Sequence, residues 1–333
     1  MKTPKEIRAA KFYSDIFSDD EKKAKQEYRA YAKKYHPDFN PPEDELDIFD
    51  IINTLYNKKH INGTGKGVTD NTINFIDKET GKGFEMSNPV VIKTSIGNVY
   101  HTSTKIVFEY DKTYEKFYEN FINQVRKLKY KDDEMDKQFR RMFPKIIRYF
   151  ETEDNKLCIL QNKTKDVLNL DRILQAYKIK GEPFPERQAA WILNRLYNLE
   201  CYLKYYNKAS NGISMENIWV SPEYHTVLLL GGWEYTLPKH EKMLGCPKDV
   251  YKTLPIKVRD SKESSTLTDL ESIKAIGRRL FADHKDLDNI WNFLNTGTED
   301  DNVLDVWGEY KEALEKHFGK RKFVVWENVP YNC

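Results

Sequence analysis

Cysteine is scarce in this sequence of 333 residues, and its occurrences are far apart in the chain. The sequence contains no Cys-x-x-Cys pair, so neither a structural zinc site nor the disulfide framework of a small secreted domain is expected. This usage favours a reducing compartment, and we expect a cytoplasmic protein without a metal or another cofactor. The cysteines are Cys158, Cys201, Cys246 and Cys333.

Long apolar runs and a large excess of one charge are also lacking. No segment approaches the roughly 20 apolar residues of a membrane-spanning helix, and the N-terminus has no signal-peptide core. Lys and Arg number 54 against 52 Asp and Glu, a formal net charge of +2, and the mean hydropathy is -0.75. We therefore expect no membrane partner, and the charge balance argues against a general nucleic-acid binder.

The N-terminal segment carries the pattern of two amphipathic helices. Acidic residues after Ser18 predict the start of a helix over Glu21–Tyr35, and Pro37 ends it because the residue before a proline is pushed out of the α region. A second helix is predicted near Asp44–Lys59. The first helix has an apolar stripe of Ala24, Tyr28, Tyr31, Ala32 and Tyr35, and a basic stripe of Lys22, Lys25, Arg29 and Lys33.

The tripeptide His36-Pro37-Asp38 lies in the loop between these two predicted helices. With Tyr28-Arg29, Lys34-Tyr35 and Asn40-Pro41 around it, this segment resembles the J-domain of DnaJ-type co-chaperones. The resemblance implies that the tripeptide stimulates ATP hydrolysis by a DnaK-type chaperone and that the basic helix docks on that chaperone. The basic stripe of the predicted helix Glu21–Tyr35 would steer that helix toward an acidic surface on the chaperone.

The rest of the chain begins with short β segments and becomes mostly helical. Residues 61–71 are predicted to be a glycine-bearing linker. Predicted strands are Thr72–Ile76, Gly83–Met86, Val90–Lys93, Asn98–His101, Lys105–Glu109, Ile146–Glu151 and Lys156–Gln161, the last two with Ile147, Tyr149, Leu157 and Ile159 facing inward. Predicted helices are Tyr114–Tyr130, Glu186–Tyr206, Thr268–Phe281, Leu287–Leu294 and Val303–Phe318, with a hairpin of Ile218–Val220 and Val227–Leu230.

This order of elements resembles the protein-kinase fold over residues 70–323. The matching segments are the strand-turn at Gly97-Asn98-Val99, the third strand at Lys105–Glu109, the catalytic loop at Ser210–Asn217, the metal-binding triplet at Leu230-Gly231-Gly232, the activation-segment end at Cys246-Pro247-Lys248 and the bracing helix at Thr268–Ile273. We predict an α+β chain: a helical-hairpin J-like domain (1–60), a linker (61–71), and a bilobal kinase-like fold with lobes at 72–165 and 166–333.

The residues that perform phosphoryl transfer in that family are substituted here. Gly97 is the only glycine left in the glycine loop, and Glu109 stands near the lysine of the third strand. Gly212 replaces the catalytic Asp and Leu230 the metal-binding Asp, so Asn217 alone would have to hold magnesium, which requires carboxylates. The resemblance therefore implies a pseudokinase that is not an enzyme and binds no metal. Asp269 would cap backbone amides of the loop.

Two further segments each allow two interpretations. Gly231–Tyr235 could form a partner pocket at the cleft, but a tight turn with a core tryptophan is the favoured interpretation.

The basic residues between Arg126 and Arg148 could bind nucleic acid or an acidic protein. Because acidic residues interrupt them, a solvated helical face is favoured.

These patterns lead to one main hypothesis and two alternatives. The main hypothesis is a DnaJ-like co-chaperone adaptor that recruits and stimulates a DnaK-type chaperone, while its kinase-like domain binds a client or assembly partner. The first alternative is a protein- or nucleic-acid-binding module of a larger complex, including one of viral origin, with a repurposed J-like domain; Phe39, where the family usually has lysine, favours it. The second alternative is an atypical phosphotransferase.

Overall fold

The computed structural model divides the chain into two compact units, residues 1–73 and 74–333. The structure describes residues 2–10, 13–18, 20–35, 48, 51–52, 55–56, 72–320, 322, 325–326 and 329–331. The tripeptide His36-Pro37-Asp38 and the predicted linker lie outside the described residues.

The first unit contains helix α1 (Pro4–Ala9) and helix α2 (Glu21–Tyr35), with further helical residues between 48 and 56. Thr3 and Glu6 form a reciprocal capping box at the start of α1. One face of α2 is buried in the same cluster as Ile48, Ile52 and Leu55, so an amphipathic pattern has produced a packed helix. The described core consists of Ile7, Ile16, Phe17, Ala24, Tyr31, Tyr35, Ile48, Ile52 and Leu55.

The chain from Thr72 onward, which includes the second unit, begins with two antiparallel β-sheets and one long helix. A two-stranded sheet pairs β1 with β2, and a five-stranded sheet has the order β3-β4-β5-β7-β6. Helix α3 (Glu115–Arg126) follows β5 and contributes Phe121 and Ile122 to the core of the larger sheet. The strands are β1 (Thr72–Ile76), β2 (Gly83–Ser87), β3 (Val90–Lys93), β4 (Gly97–His101), β5 (Lys105–Asp111), β6 (Ile146–Glu151) and β7 (Lys156–Asn162), and a short helix α4 (Asp133–Phe139) precedes β6.

Strand β6 presents its side chains differently from the prediction. Leu157 and Ile159 of β7 are buried as expected, but Ile147 and Tyr149 are 48% and 42% exposed, and Phe150 is buried instead. The register between β6 and β7 shifts between Ile146 and Arg148. Burial nevertheless alternates regularly along β6, with Ile146, Arg148 and Phe150 as its less exposed positions, so the predicted alternation was out of phase by one residue.

The remaining part of the second unit is mostly helical. Its centre is the long helix α6, which packs against α9 and α11 and buries Ile192, Leu193 and Leu196. The helices are α5 (Leu170–Lys180), α6 (Glu186–Tyr205), α7 (Lys248–Thr253), α8 (Ile256–Ser261), α9 (Thr266–Leu280), α10 (Asp288–Asn295) and α11 (Val303–Phe318), and the short strands are β8 (Leu168–Asn169), β9 (Lys208–Ala209), β10 (Ile218–Ser221), β11 (Thr226–Leu229) and β12 (Leu237–Pro238). In the part of the chain that the structure describes, no helix is long and apolar enough to span a bilayer.

Candidate functional site

Asp269 of helix α9 anchors the loop from Ser210 to Asn217. The carboxylate of Asp269 accepts hydrogen bonds from the backbone N–H groups of Ser210 at 2.6 Å and Asn211 at 2.8 Å. All three residues are fully buried, so two amides that would otherwise lack partners are satisfied. The sequence-based prediction that Asp269 caps loop amides is confirmed.

The side chain of Asn211 ties the same loop to its surroundings. Its amide nitrogen donates to the carbonyl oxygen of Tyr235 at 3.1 Å and to the hydroxyl of Ser264 at 2.8 Å. Asn211 has a positive φ of 51°, a conformation that asparagine tolerates better than most residues. The loop is therefore fixed by both its backbone and its side chains.

Gly212 lies directly against the glycine pair that follows β11. A Cβ atom at residue 212 would be 2.6 Å from the carbonyl oxygen of Gly232. The side-chain amide of Asn217 donates to the carbonyl oxygen of Gly212 at 2.9 Å and closes the loop on itself. Gly212 and Asn217 are thus brought together, and their contacts are with the protein's own backbone.

Leu230 is part of the apolar core. It is buried, and its carbonyl oxygen accepts a hydrogen bond from the side chain of the buried Gln161 at 3.2 Å. Trp233, three residues later, is fully buried and donates its indole N–H to the carbonyl oxygen of Leu229 at 2.8 Å. The favoured interpretation of Gly231–Tyr235, a tight turn with a core tryptophan, agrees with this geometry.

Glu109 does not face this group of loops. Its carboxylate accepts hydrogen bonds from Asn98 at 2.8 Å and from Tyr100 at 3.1 Å, on the face of the sheet that Val107 shares. Strand alternation puts Phe108 and Tyr110 on the opposite, core-facing side. The residues that β5 directs toward the loops are therefore Phe108 and Tyr110, and the alternation of apolar residues along β5 was the signal that could have identified them.

Two tyrosines pack edge to face between β5 and α3. The rings of Tyr110 and Tyr118 are 6.1 Å apart at an interplanar angle of 67°. Burial raises the pKa of the Tyr110 hydroxyl well above its usual value, and that hydroxyl has no hydrogen-bond partner among the described residues. An aromatic contact thus connects helix α3 with strand β5.

Gly97 is required by the close approach of β4 to β5. A Cβ atom there would overlap the carbonyl oxygen of Glu109 in the neighbouring strand. Gly97 opens β4 and pairs with Tyr110. Strand packing alone therefore accounts for this glycine.

Two buried acidic groups near the loops were missed by sequence reasoning. Burial raises the pKa of Glu234 to about 7, although the backbone N–H groups of Glu234 and Gly232 act in the opposite direction. Burial also raises the pKa of Glu200 on α6, and the neighbouring Asp269 carboxylate raises it further. Glutamate in a helix or turn carries no sequence signal for burial, so neither residue could be distinguished from surface acids.

The basic stripe of α2 is the candidate site of the first unit. Lys22, Lys25, Arg29 and Lys33 are all exposed, and none of the four has an ion-pair partner among the described residues. The opposite side of α2 is buried through Ala24 and Tyr31. Over the described residues, no group of three or more His, Cys, Asp or Glu side chains could hold a metal ion.

Comparison with solved structures identifies the fold. The crystal structure of the BubR1 kinase domain is similar, with a TM-score of 0.50 and 12% identity, and the match covers 81% of this chain and 92% of that chain. The structure of vaccinia related kinase 3 matches with a TM-score of 0.44 and 13% identity, covering 78% of this chain and 80% of that chain. No protein-family model and no curated protein matches the sequence.

The prediction that the chain is not an enzyme is contradicted by this comparison. The similar structure is a kinase domain, so the substitutions at Gly212 and Leu230 were too narrow a basis for excluding enzymatic activity. The J-like hairpin stays a prediction. The coarser prediction is confirmed: the chain combines helices and strands in a bilobal, protein-kinase-like fold.

Proposed function

We propose that this chain is an adaptor that recruits a DnaK-type chaperone and stimulates its ATPase, while its kinase-like unit, residues 74–333, holds a client or an assembly partner. The observation that carries the proposal is the division of α2 into a buried apolar face and an exposed basic face. A helix built in this way can dock on another protein without losing its own packing.

The charge on α2 is arranged for long-range attraction. The four basic residues recur at intervals of three or four positions, so they share one side of a helix of 15 residues. Asp20 accepts a hydrogen bond from the backbone N–H of Lys23 at 2.8 Å and fixes the start of that helix. Exposed cations raise association rates with acidic surfaces, in a manner that salt weakens.

The kinase-like unit supplies a well-packed body for holding a partner. The loop at Ser210, the turn at Gly232 and helix α9 are joined by buried hydrogen bonds and backbone contacts. Surfaces on such a body keep their shape on binding, which limits the entropic cost of association.

A steady-state ATPase assay with a DnaK-type chaperone tests the proposal. Wild-type protein should accelerate ATP hydrolysis, and His36→Gln should abolish the acceleration because the J-domain resemblance assigns the stimulation to that loop. The double variant Lys25→Glu with Arg29→Glu should require higher concentrations for the same effect. The control, Lys178→Glu with Lys180→Glu on exposed positions of α5, should behave as wild type. Equal rates for wild type and His36→Gln would defeat the proposal.

A phosphotransferase activity of the kinase-like unit is the second candidate. The observation in its favour is the anchoring of the 210–217 loop by Asp269, because the sequence resemblance assigns this loop to the catalytic loop of protein kinases. Thermal melting with ATP, with and without magnesium, measures nucleotide binding, because a ligand of the native state raises its stability. Transfer of labelled γ-phosphate to a protein substrate would establish the activity. Its absence, together with an unchanged melting temperature, would remove the candidate.

A further inference from the structure

A groove of about 690 Å³ lies between helices α6 and α11 of the kinase-like unit, away from the loops described above. We call it the α6–α11 groove. Its apolar lining includes Trp191 on α6 and Phe318 at the end of α11, and its basic lining consists of Arg187, Lys311, Lys320 and Lys322. An apolar lining surrounded by polar groups is the usual composition of a binding site of this size.

The charge of the α6–α11 groove is one-sided. Among its described lining residues, Arg187, Lys311, Lys320 and Lys322 are cationic and one, Glu315, is a carboxylate, although the whole chain is nearly balanced, with 54 basic and 52 acidic residues. Among the residues that the structure describes, none of the four cations forms an ion pair. Arg187 instead lies over the Phe318 ring at 4.8 Å and Lys311 over the Trp307 ring at 3.5 Å. The groove therefore favours an anionic ligand.

Trp191 contributes a half-buried aromatic ring to this lining. Its indole N–H is buried and has no acceptor among the described residues, while its ring packs edge to face against His225 at 5.0 Å.

The separation of the cations points to an extended ligand. From Lys311 to the end of α11 at Phe318, a rise of 1.5 Å per residue gives about 10 Å, and Lys320 and Lys322 lie beyond that end. Cations spread along the groove in this way can be matched by several anionic groups of one ligand. An extended peptide, at about 3.3 Å per residue, can place successive acidic side chains along the same path.

We propose that the α6–α11 groove binds a short acidic peptide segment of a partner protein, with an apolar side chain of that segment against Trp191 and Phe318. The inference rests on the proposed function in one respect, that the kinase-like unit holds a protein partner. It adds the location of the site and the chemistry of the partner segment.

Fluorescence anisotropy with the full chain tests this inference. The probe is a fluorescein-labelled peptide in which a Leu-Phe pair is flanked on both sides by glutamates. We expect saturable binding that weakens as salt increases, and a loss of about tenfold or more when the glutamates are replaced by glutamines or the Leu-Phe pair by serines.

Matched variants locate the binding. Lys311→Glu with Lys320→Glu should reduce affinity for the peptide at least tenfold. Lys316→Glu, an exposed position of the same helix that does not line the groove, should leave it unchanged. Thermal melting of each variant establishes that it is folded.

Three results would overturn the inference. They are no binding by the wild-type chain, equal loss in the groove and control variants, and binding of polyphosphate with the same lysine dependence but no effect of the Leu-Phe pair. The chaperone ATPase assay depends on the N-terminal unit and is read separately, so failure of one proposal is distinguishable from failure of the other.

Discussion

Gly212 and Gly232 meet backbone to backbone. A Cβ atom at residue 212 would be 2.9 Å from the Cα atom of Gly232 and closer still to its carbonyl oxygen. The loop at Ser210–Asn217 and the turn after β11 therefore behave as one packed body, and the smallest side chain added between them must displace backbone atoms.

We expect Gly212→Ala to lower the free energy of unfolding by about 1–3 kcal/mol, since extra atoms in a packed interior force backbone shifts. Urea denaturation measures the change. Gly297→Ala is the control, because no atom lies within 4 Å of a Cβ at that exposed position, and its effect should stay within about 0.5 kcal/mol. Equal stability of Gly212→Ala and wild type would show that the contact is absent in solution.

Two helical glycines should respond to alanine with opposite signs. Gly308 in α11 has no neighbour within 4 Å of a Cβ position. Gly308→Ala should therefore stabilise the protein by about 0.5–1 kcal/mol, because alanine lowers the conformational entropy of the unfolded chain. At Gly277 in α9 the added atom would lie 2.6 Å from Leu294 Cδ2 and 2.7 Å from Leu193 Cδ2. Gly277→Ala should therefore lower the melting temperature. Shifts of the same sign would contradict this reasoning.

Removing the Asp269 carboxylate should be among the most damaging single changes. Asp269→Ala leaves the amides of Ser210 and Asn211 buried without an acceptor, at a cost of about 1–3 kcal/mol each. Asp269→Asn retains one acceptor oxygen and should lose less. Amide hydrogen exchange reports the consequence directly: protection at both amides should fall in the alanine variant. Unchanged protection would mean that other groups hold the loop.

Glu234 should make stability depend on pH. Its pKa rises from 4.5 to about 7 on folding, so the folded protein favours the protonated carboxyl. The stability of the folded state is therefore highest below pH 4.5 and decreases as the pH rises to about 7. The loss amounts to roughly 3 kcal/mol. Glu234→Gln should be more stable than wild type at pH 8, with a smaller decline between pH 5 and pH 8.

The Glu200 and Asp269 pair has pKa shifts in the same direction, so part of the decline should persist in Glu234→Gln. Urea midpoints at the two pH values measure the difference between the proteins. Parallel declines for wild type and variant would refute the role assigned to Glu234.

Local pattern was sufficient to predict most elements of the fold. Strand β3 and helix α11 have the predicted bounds, Val90–Lys93 and Val303–Phe318, because alternation and helical periodicity reflect burial on one side. Where burial is decided by a neighbouring strand, pattern is insufficient. Apolar residues occur in both alternating sets of β6, and the structure buries Phe150 in place of Ile147 and Tyr149.

The site was predicted in outline and not in detail. The role of Asp269 followed from the order of segments along the chain, which a single sequence records. Matching β5 to the third strand of protein kinases left the alignment uncertain by one residue. Since neighbouring side chains in a strand point to opposite faces of the sheet, this match did not determine which face Glu109 occupies. The burial of Glu200 and Glu234 depends on segments distant in sequence, and no local pattern records it.

Asp269 supports the 210–217 loop from inside the larger lobe, where no ligand needs to reach it. The path of the loop is set by two amide hydrogen bonds at its base, and the side chains above can change without altering that path. Side chains in such a loop can therefore be replaced while the backbone path is kept, so a comparison of folds detects a similarity at 12% sequence identity.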